Sequence, residues 1–363
     1  MTRARQNANI SPAVGRNMII NGAMNVAQRS SSVAGIGAAA GYFTLDRWLI
    51  DTANSAGRLT MSQTADGPNG ISANCIKLDC TTADTSIAAS EYFLLAQNIE
   101  GQNLQRIGKG VAGAKQVTIS FYVKASAAFD FVVEFFDSDN SRHCCKLFST
   151  TTDWTRVEFV VPADEDDGSS PFDDDNATSG RLFFWLHAGT TFTGGTLATA
   201  WANNTNANRA AGIDSFFSST DNNFFITGVQ MEVGPVATDF EQEDISTTIA
   251  KCQRYYYKTG PLASNACFGT GFNVSTTVGV GETVFPVKLR AIPTALEQNG
   301  TAAHYRIAHR ATATTCSAVP ALDRVNTDRA ITTFTVGSGL TAGDGIEIRS
   351  QNSTAFLAWS AEL

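Results

Sequence analysis

A run of alternating apolar and polar residues at 116–124 constrains the fold of this chain most strongly. Its apolar members Val117, Ile119, Phe121 and Val123 are each separated by one residue. Because side chains along a strand point to opposite faces in turn, this spacing predicts a β-strand with one buried and one solvent-facing side. Comparable short segments recur between polar turns at 58–63, 75–80, 129–136, 154–161, 181–187 and 224–233.

These strand-like segments follow one another without an intervening helical pattern, which favours antiparallel sheets over alternating strands and helices. We therefore predict an all-β protein in which residues 17–243 form an antiparallel jelly-roll β-sandwich. A length of 363 residues is long for one domain, and a second set of strand-like segments follows. We predict a smaller C-terminal β-sandwich domain at 261–363, serving oligomerisation or receptor contact.

Helical spacing is clear at one place, where Ile245, Ile249, Cys252 and Tyr256 fall on one face of a helix. The pattern predicts a short linking helix at 244–260, between the two β domains. Residues 1–16 lack periodicity, and we predict that they form an exposed N-terminal arm.

The charge balance excludes several classes of partner. A formal net charge of −8 disfavours nucleic acid and anionic membranes, because both require a basic surface. No stretch approaches the roughly twenty apolar residues that cross a bilayer. The first residues do not resemble a signal peptide, so we expect synthesis in a cytoplasm without an encoded route of export.

Cysteine and histidine patterns give no sign of catalysis. The seven cysteines include the adjacent pair Cys144 and Cys145 but no CxxC spacing, so reduced and mostly buried thiols are expected. The sequence contains no GxSxG, P-loop or HExxH motif. We therefore predict that the chain is not an enzyme. The histidines are His143, His187, His304 and His309.

Two separated stretches resemble a known family. They read NMIINGAMNVAQR at 17–29 and FITGVQMEVGPVATDFE at 225–241, with LDRW at 45–48, IEGQNL at 99–104 and CQRYY at 252–256 in the same order as in the family. The chain is similar in these motifs to bacteriophage tail-fibre and related virion proteins. The resemblance covers residues 17–257 well and the remainder loosely.

This resemblance implies a jelly roll like that of carbohydrate-binding modules, carried on a virion, usually as a homotrimer, and serving adsorption to a host-surface glycan. It further implies that the N-terminal arm attaches to other virion proteins. The chain departs from long fibres because it has no collagen-like, heptad or β-helix shaft. The alternative is therefore a head-decoration or fibre-connector protein with a purely structural role.

The candidate ligand-binding residues lie in a long polar loop. Tryptophan rings pack on the apolar faces of sugars, and Trp201 lies in a long polar loop with Asn203, Asn204 and Asn206. We predict that these four residues contact the ligand, although a loop tryptophan can equally pack on its own sandwich. Trp154, Trp185 and Trp359 lie within strand patterns, which predicts that they belong to the core.

Two further clusters have both a functional and a plain structural interpretation. Asp166, Asp167, Asp173 and Asp174 belong to acidic runs that could hold a structural calcium ion, although a solvated loop is the simpler interpretation. No other cofactor is expected. Three consecutive tyrosines are expected at an oligomer junction: Tyr255, Tyr256 and Tyr257.

Overall fold

The computed structural model describes residues 15–165, 171–260, 263–310 and 312–363. These residues divide into two compact units, and the boundary lies between Thr248 and Ile249. The predicted arm lies mostly outside the described residues, which begin at Gly15. Among the helices of the described ranges, none has the length and apolarity that a membrane-spanning helix needs.

The first unit is built from short strands, as the alternating patterns predict. Its strands are β1 Ser32–Ile36, β2 Gly41–Tyr42, β3 Leu49–Ala53, β4 Arg58–Thr64, β5 Cys75–Thr82, β6 Tyr92–Glu100, β7 Val117–Ala125, β8 Asp130–Asp137, β9 Arg142–Ser149, β10 Thr155–Val161, β11 Thr178–Ala188, β12 Ala202–Asn203 and β13 Asn223–Val233. Its helical turns are α1 Thr190–Thr193 and the 3₁₀ turns Gly101–Asn103, Gln105–Ile107, Asn206–Asn208 and Phe216–Ser218.

These strands form two antiparallel sheets. The six-stranded sheet has the order β1-β4-β5-β13-β7-β10, and the seven-stranded sheet has the order β12-β9-β8-β11-β6-β3-β2. Most spatial neighbours are distant in sequence, as in the pairing of β13 with both β5 and β7. The prediction of an all-β, antiparallel jelly-roll sandwich is confirmed.

Apolar side chains from both sheets fill the space between them. Phe121 of the six-stranded sheet packs edge-to-face on Phe184 of the seven-stranded sheet, with ring centroids 5.0 Å apart. Phe131 and Phe224 make a similar contact at 5.6 Å. Burial of aromatic rings is the largest source of stabilisation available to such a core.

A smaller apolar cluster covers the other face of the seven-stranded sheet. Trp185 is buried there and packs on Phe192 of α1, with centroids 5.2 Å apart. Phe192 and Ala210 are buried in the same cluster. Part of residues 189–215 therefore shields this face of the sheet from solvent.

The family motif at 17–29 does not form a strand, although its apolar residues are compatible with one. Residues 17–28 form turns and irregular backbone. This motif nevertheless contacts the second motif, at 225–241, because Met18 N–H donates to Met231 O at 2.8 Å and Val229 N–H donates to Gly22 O at 3.0 Å. The strand predicted at 224–233, which includes the start of the second motif, is β13.

The helix α2, Ile245–Gln253, is shorter than predicted. Tyr256 and Tyr257 lie instead on the next strand, where Tyr256 pairs with Ser360 and Tyr257 pairs with Trp359. Pairing with a strand about a hundred residues away is invisible to local helical spacing, which explains the error at this end of the helix.

The second unit is also all-β. Its strands are β14 Tyr256–Thr259, β15 Cys267–Asn273, β16 Val278–Val284, β17 Leu296–Gln298, β18 Tyr305–His309, β19 Thr312–Thr315, β20 Ala321–Val325, β21 Arg329–Thr335, β22 Gly345–Ser350 and β23 Leu357–Ser360, with a 3₁₀ turn at Ala302–His304. The sheets have the orders β19-β18-β22-β15-β16-β21-β20 and β14-β23-β17. Tyr305, Phe334 and Trp359 are buried in its core.

Candidate functional site

An aromatic surface lies on the outer face of the six-stranded sheet. Tyr122 and Phe225 alternate with the core residues of β7 and β13, so the period of two directs them away from the core. Trp154 immediately precedes β10, beside β7. All three side chains are half-buried, and we call Tyr122, Trp154 and Phe225 the aromatic row.

Lysine side chains lie beside two rings of the aromatic row. Trp154 and Phe225 have ring centroids 6.4 Å apart. Lys124 Nζ lies 5.2 Å from the ring centroid of Trp154 and 4.8 Å from that of Phe225. Lys77 Nζ lies 5.9 Å from the Phe225 centroid. Each ammonium group makes a cation–π contact with the rings and also pairs with a carboxylate, Lys124 with Asp66 at 2.7 Å and Lys77 with Asp79 at 3.0 Å.

Asp66 fixes the tryptophan of this row. Its carbonyl accepts a 3.0 Å hydrogen bond from Trp154 Nε1, and its carboxylate accepts a 2.7 Å bond from Lys124 Nζ. Since both bonds come from one residue, the indole ring and the ammonium group are oriented together. A preoriented ring loses less conformational entropy on binding a ligand.

An open groove of about 360 Å³ borders the row. It is lined by Gly67, Pro68, Asn69, Gly70, Ile71, Ser72, Ala73 and Gln242, and we call it the 67–73 groove. Gly228 lies between Ile71 of the groove and Tyr122 of the row. A Cβ added to Gly228 would lie 2.8 Å from Ile71 Cγ2 and 2.9 Å from Tyr122 Cδ2. Gln242 Nε2 donates to Ile71 O at 2.7 Å and supports the loop.

This combination suits a polyhydroxylated ligand. Aromatic rings offer apolar faces for a pyranose, while lysine ammonium groups and exposed peptide groups form hydrogen bonds with hydroxyl or carboxylate oxygens. Sequence reasoning missed the row because it assigned Trp154 to the core. The available signal was the alternation of β7 and β13, which places Tyr122 and Phe225 on the face opposite the core residues.

The structure turns Trp201 towards the sandwich. Its indole Nε1 donates to Pro162 O at 2.9 Å, and its ring packs on Phe135 with centroids 5.7 Å apart. Lys109 Nζ lies 5.2 Å from the ring centroid. These contacts correspond to the alternative in which the loop tryptophan packs on its own sandwich.

The asparagines that accompany Trp201 in the sequence lie on the surface. Asn203, Asn204 and Asn206 are exposed, whereas Trp201 is half-buried. Asn204 N–H donates to Ser141 O at 2.8 Å and ties the loop to the end of β9. The structure does not present the indole face and the three amides as one surface, and their role in ligand contact stays a prediction.

The acidic runs divide between exposed and buried positions. Asp166 and Asp167 lie outside the described residues, and Asp173 and Asp174 are exposed. Asp164 is buried instead and forms ion pairs with Lys109 at 3.0 Å and Arg142 at 3.3 Å. A calcium site at the four predicted aspartates stays a prediction.

The three tyrosines have structural contacts within the second unit. Tyr255 and Tyr256 are buried. Tyr256 donates to Glu297 Oε2 at 3.0 Å, and Tyr257 stacks on Trp359 with centroids 6.1 Å apart. Their role at an oligomer junction stays a prediction.

No protein-family model matches the chain, and no curated protein matches it. Among solved structures, it is similar to a family 11 carbohydrate-binding module from Clostridium thermocellum in complex with a β-1,3-1,4-mixed-linked tetrasaccharide (12% identity, 53% of this chain and 91% of that chain, TM-score 0.27). It is similar to TmCBM61 in complex with β-1,4-galactotriose (10% identity, 61% and 100%, TM-score 0.30).

A phage protein is found among the same matches. The chain is similar to the enzymatically active domain of bacteriophage CBA120 tailspike protein 4, with 9% sequence identity and a TM-score of 0.31. The match covers 60% of this chain and 22% of that chain. At such identities and TM-scores, the matches define neither a family nor a binding site for this chain.

Proposed function

We propose that this chain is a non-enzymatic bacteriophage virion protein, a tail fibre or similar appendage, that binds a host-surface glycan for adsorption. The observation that carries the binding role is the aromatic row, with its bound lysines and adjoining 67–73 groove. The virion role rests on the sequence motifs at 17–29 and 225–241. Within this proposal the chain assembles as a homotrimer and attaches to other virion proteins through residues 1–16.

The binding role is tested with a glycan array and titration calorimetry on the full chain. Trp154→Ala removes one ring of the row, and we expect about tenfold weaker binding of the glycan that the wild type selects. Thermal melting of each variant checks that it remains folded.

Trp201→Ala is the matched control. Both tryptophans are half-buried, and each indole N–H donates to a main-chain carbonyl, at 3.0 Å for Trp154 and 2.9 Å for Trp201. We expect Trp201→Ala to lower the melting temperature and leave glycan affinity unchanged. Loss of binding in Trp201→Ala alone would move the site to the loop at 201–206.

A head-decoration or connector protein would bind no glycan on the array. Labelling the protein on intact phage particles separates the two roles further. Label at the tail tip supports the adsorption role, and label over the capsid surface supports the structural alternative.

A further inference from the structure

Three buried ionisable side chains meet where β5, β6 and β11 begin or end. Asp84 follows β5, Glu91 immediately precedes β6, and His187 lies near the end of β11. Their exposed fractions are 5%, 6% and 0%. One ligand atom from each lies within 4.8 Å of the other two. Because β5 belongs to one sheet and β6 and β11 belong to the other, the cluster connects the two sheets.

Two of these atoms face each other without a hydrogen bond. Glu91 Oε2 and His187 Nε2 are 3.6 Å apart, which exceeds hydrogen-bond distance. Neither atom has another hydrogen-bond partner among the residues that the structure describes. A buried polar atom without a partner is costly, so a species that binds both atoms would stabilise the folded protein.

Ser215 sets the orientation of the imidazole. His187 Nδ1 lies 2.8 Å from Ser215 Oγ. When Nδ1–H donates to this hydroxyl, Nε2 carries the lone pair that points towards Glu91. Zinc binds the neutral imidazole through such a lone pair.

Main-chain contacts hold the three residues in place. Asp84 N–H donates to Phe217 O at 2.8 Å, and Gly189 N–H donates to Glu91 O at 2.8 Å. The His187 ring packs edge-on against Phe217, with centroids 5.3 Å apart. The ligand atoms are thus presented by a rigid part of the sandwich.

We propose that Asp84, Glu91 and His187 bind a divalent transition-metal cation of the zinc type, which joins the two sheets at this end of the first unit. Zinc accepts both imidazole nitrogen and carboxylate oxygen ligands, and a water molecule would complete the tetrahedron. Calcium is disfavoured, because it takes six to eight oxygen ligands and does not favour imidazole.

A second cluster differs in having a cation of the protein beside its carboxylate. Glu134, His143 and Cys145 also place ligand atoms within 4.8 Å of one another. Both Glu134 oxygens accept hydrogen bonds from the Arg209 guanidinium, at 2.9 and 3.0 Å. That guanidinium balances the carboxylate charge, whereas the described contacts of Asp84 are the uncharged Ser55 hydroxyl and the Ala56 and Ser86 N–H groups.

The test uses the full chain, stripped with a chelator and titrated with Zn²⁺ by calorimetry. We expect one equivalent per chain, and a melting temperature of the first unit raised by about 5–10 °C at a hundredfold excess over Kd. In Glu91→Gln and His187→Gln, zinc affinity should fall at least tenfold. His143→Gln, in the cluster of Glu134 and Arg209, is the control and should keep its zinc affinity.

Wild-type protein loaded with Co²⁺ gives a readout that does not depend on the variants folding. Visible d–d absorption of a four-coordinate site with nitrogen and oxygen ligands is expected. The inference is overturned if stripped wild type binds no zinc or cobalt and melts at the same temperature with and without chelator. It is also overturned if folded Glu91→Gln binds zinc as tightly as the wild type, because the ion would then lie elsewhere.

Discussion

Glu134 is a fully buried carboxylate whose charge is balanced entirely by protein groups. It accepts bonds from Arg209 Nε at 2.9 Å and Arg209 Nη2 at 3.0 Å, and from Trp185 Nε1 at 2.6 Å. His143 Nδ1 lies 2.9 Å from Glu134 Oε1, the oxygen that also accepts the bond from Arg209 Nε. Such a network stabilises only when every member has its partner.

Removal of Arg209 should therefore be costly. We predict that Arg209→Met lowers the free energy of unfolding by about 3–5 kcal/mol, because an uncompensated buried carboxylate remains. Urea denaturation measures this. The control Arg324→Met removes an exposed pair with Asp323 and should cost less than about 1 kcal/mol. Equal effects of the two substitutions would contradict the network.

Glu134 also predicts a pH dependence. Burial by itself raises the pKa of Glu134, but the charge and hydrogen bonds of Arg209, together with His143, outweigh burial and leave the pKa below its ordinary value. The unfolded chain then binds the proton more tightly. Stability from this group is present above the unfolded pKa of about 4.3 and is lost as pH falls towards the folded pKa. Glu134→Gln should show a shallower loss of stability between about pH 5 and 3.

The tryptophans show which residue environments sequence could predict. Trp185 and Trp359 are buried, as their strand patterns indicated. Trp154 is half-buried on the outer face, and Trp201 packs inward from a polar loop. A local sequence pattern predicts whether a residue belongs to a strand. It does not show on which face of the sheet a residue beside a strand packs, nor whether a polar loop folds back over a sheet.

At the scale of elements, the stretch at 17–28 is held against β13 by close backbone contact. A Cβ added to Gly22 would lie 2.1 Å from Val229 O. Only glycine allows this approach. The family motifs at 17–29 and 225–241 thus mark two segments that meet in space, and Gly22 of the first is required by packing.

Gly22→Ala should therefore destabilise the first unit by about 2 kcal/mol or more, because the backbone of one segment must move. Thermal melting followed by circular dichroism is a suitable measurement. Gly345→Ala, where an added Cβ meets nothing within 4 Å, is the control and should be within about 0.5 kcal/mol of wild type. A neutral Gly22→Ala would contradict the contact.

Strand existence was predictable because alternation is local, whereas pairing was not. The segments at 116–124 and 224–233 coincide closely with β7 and β13. Nothing in either segment indicates that β13 would lie between β5 and β7. The same lack of long-range information made Tyr256 and Tyr257 look helical.

At the scale of the whole molecule, exposed apolar residues bear on how the chains assemble. Phe272 and Val274 of the second unit are exposed by 52% and 54%. Neighbouring apolar side chains at the surface favour contact with a partner. In the proposed homotrimer, these residues are further candidates for the subunit contact, beside the tyrosines at 255–257.

Light scattering coupled to gel filtration tests this assembly. We predict a measured mass of three times the 38.6 kDa chain mass at micromolar concentration. Phe272→Ser combined with Val274→Ser should shift the mass towards that of the single chain. The exposed pair Ile245→Ser and Ile249→Ser on α2 is the control and should leave the mass unchanged. A single-chain mass for the wild type would contradict the trimer.

Glycan binding is proposed for the outer face of the six-stranded sheet. The most direct measurement is a crystal structure of the chain with the oligosaccharide selected on the array. We predict a sugar ring packed on Trp154 or Phe225, with hydroxyl groups reaching the 67–73 groove. A sugar bound only at 201–206 or in the second unit, with the aromatic row bare, would contradict it.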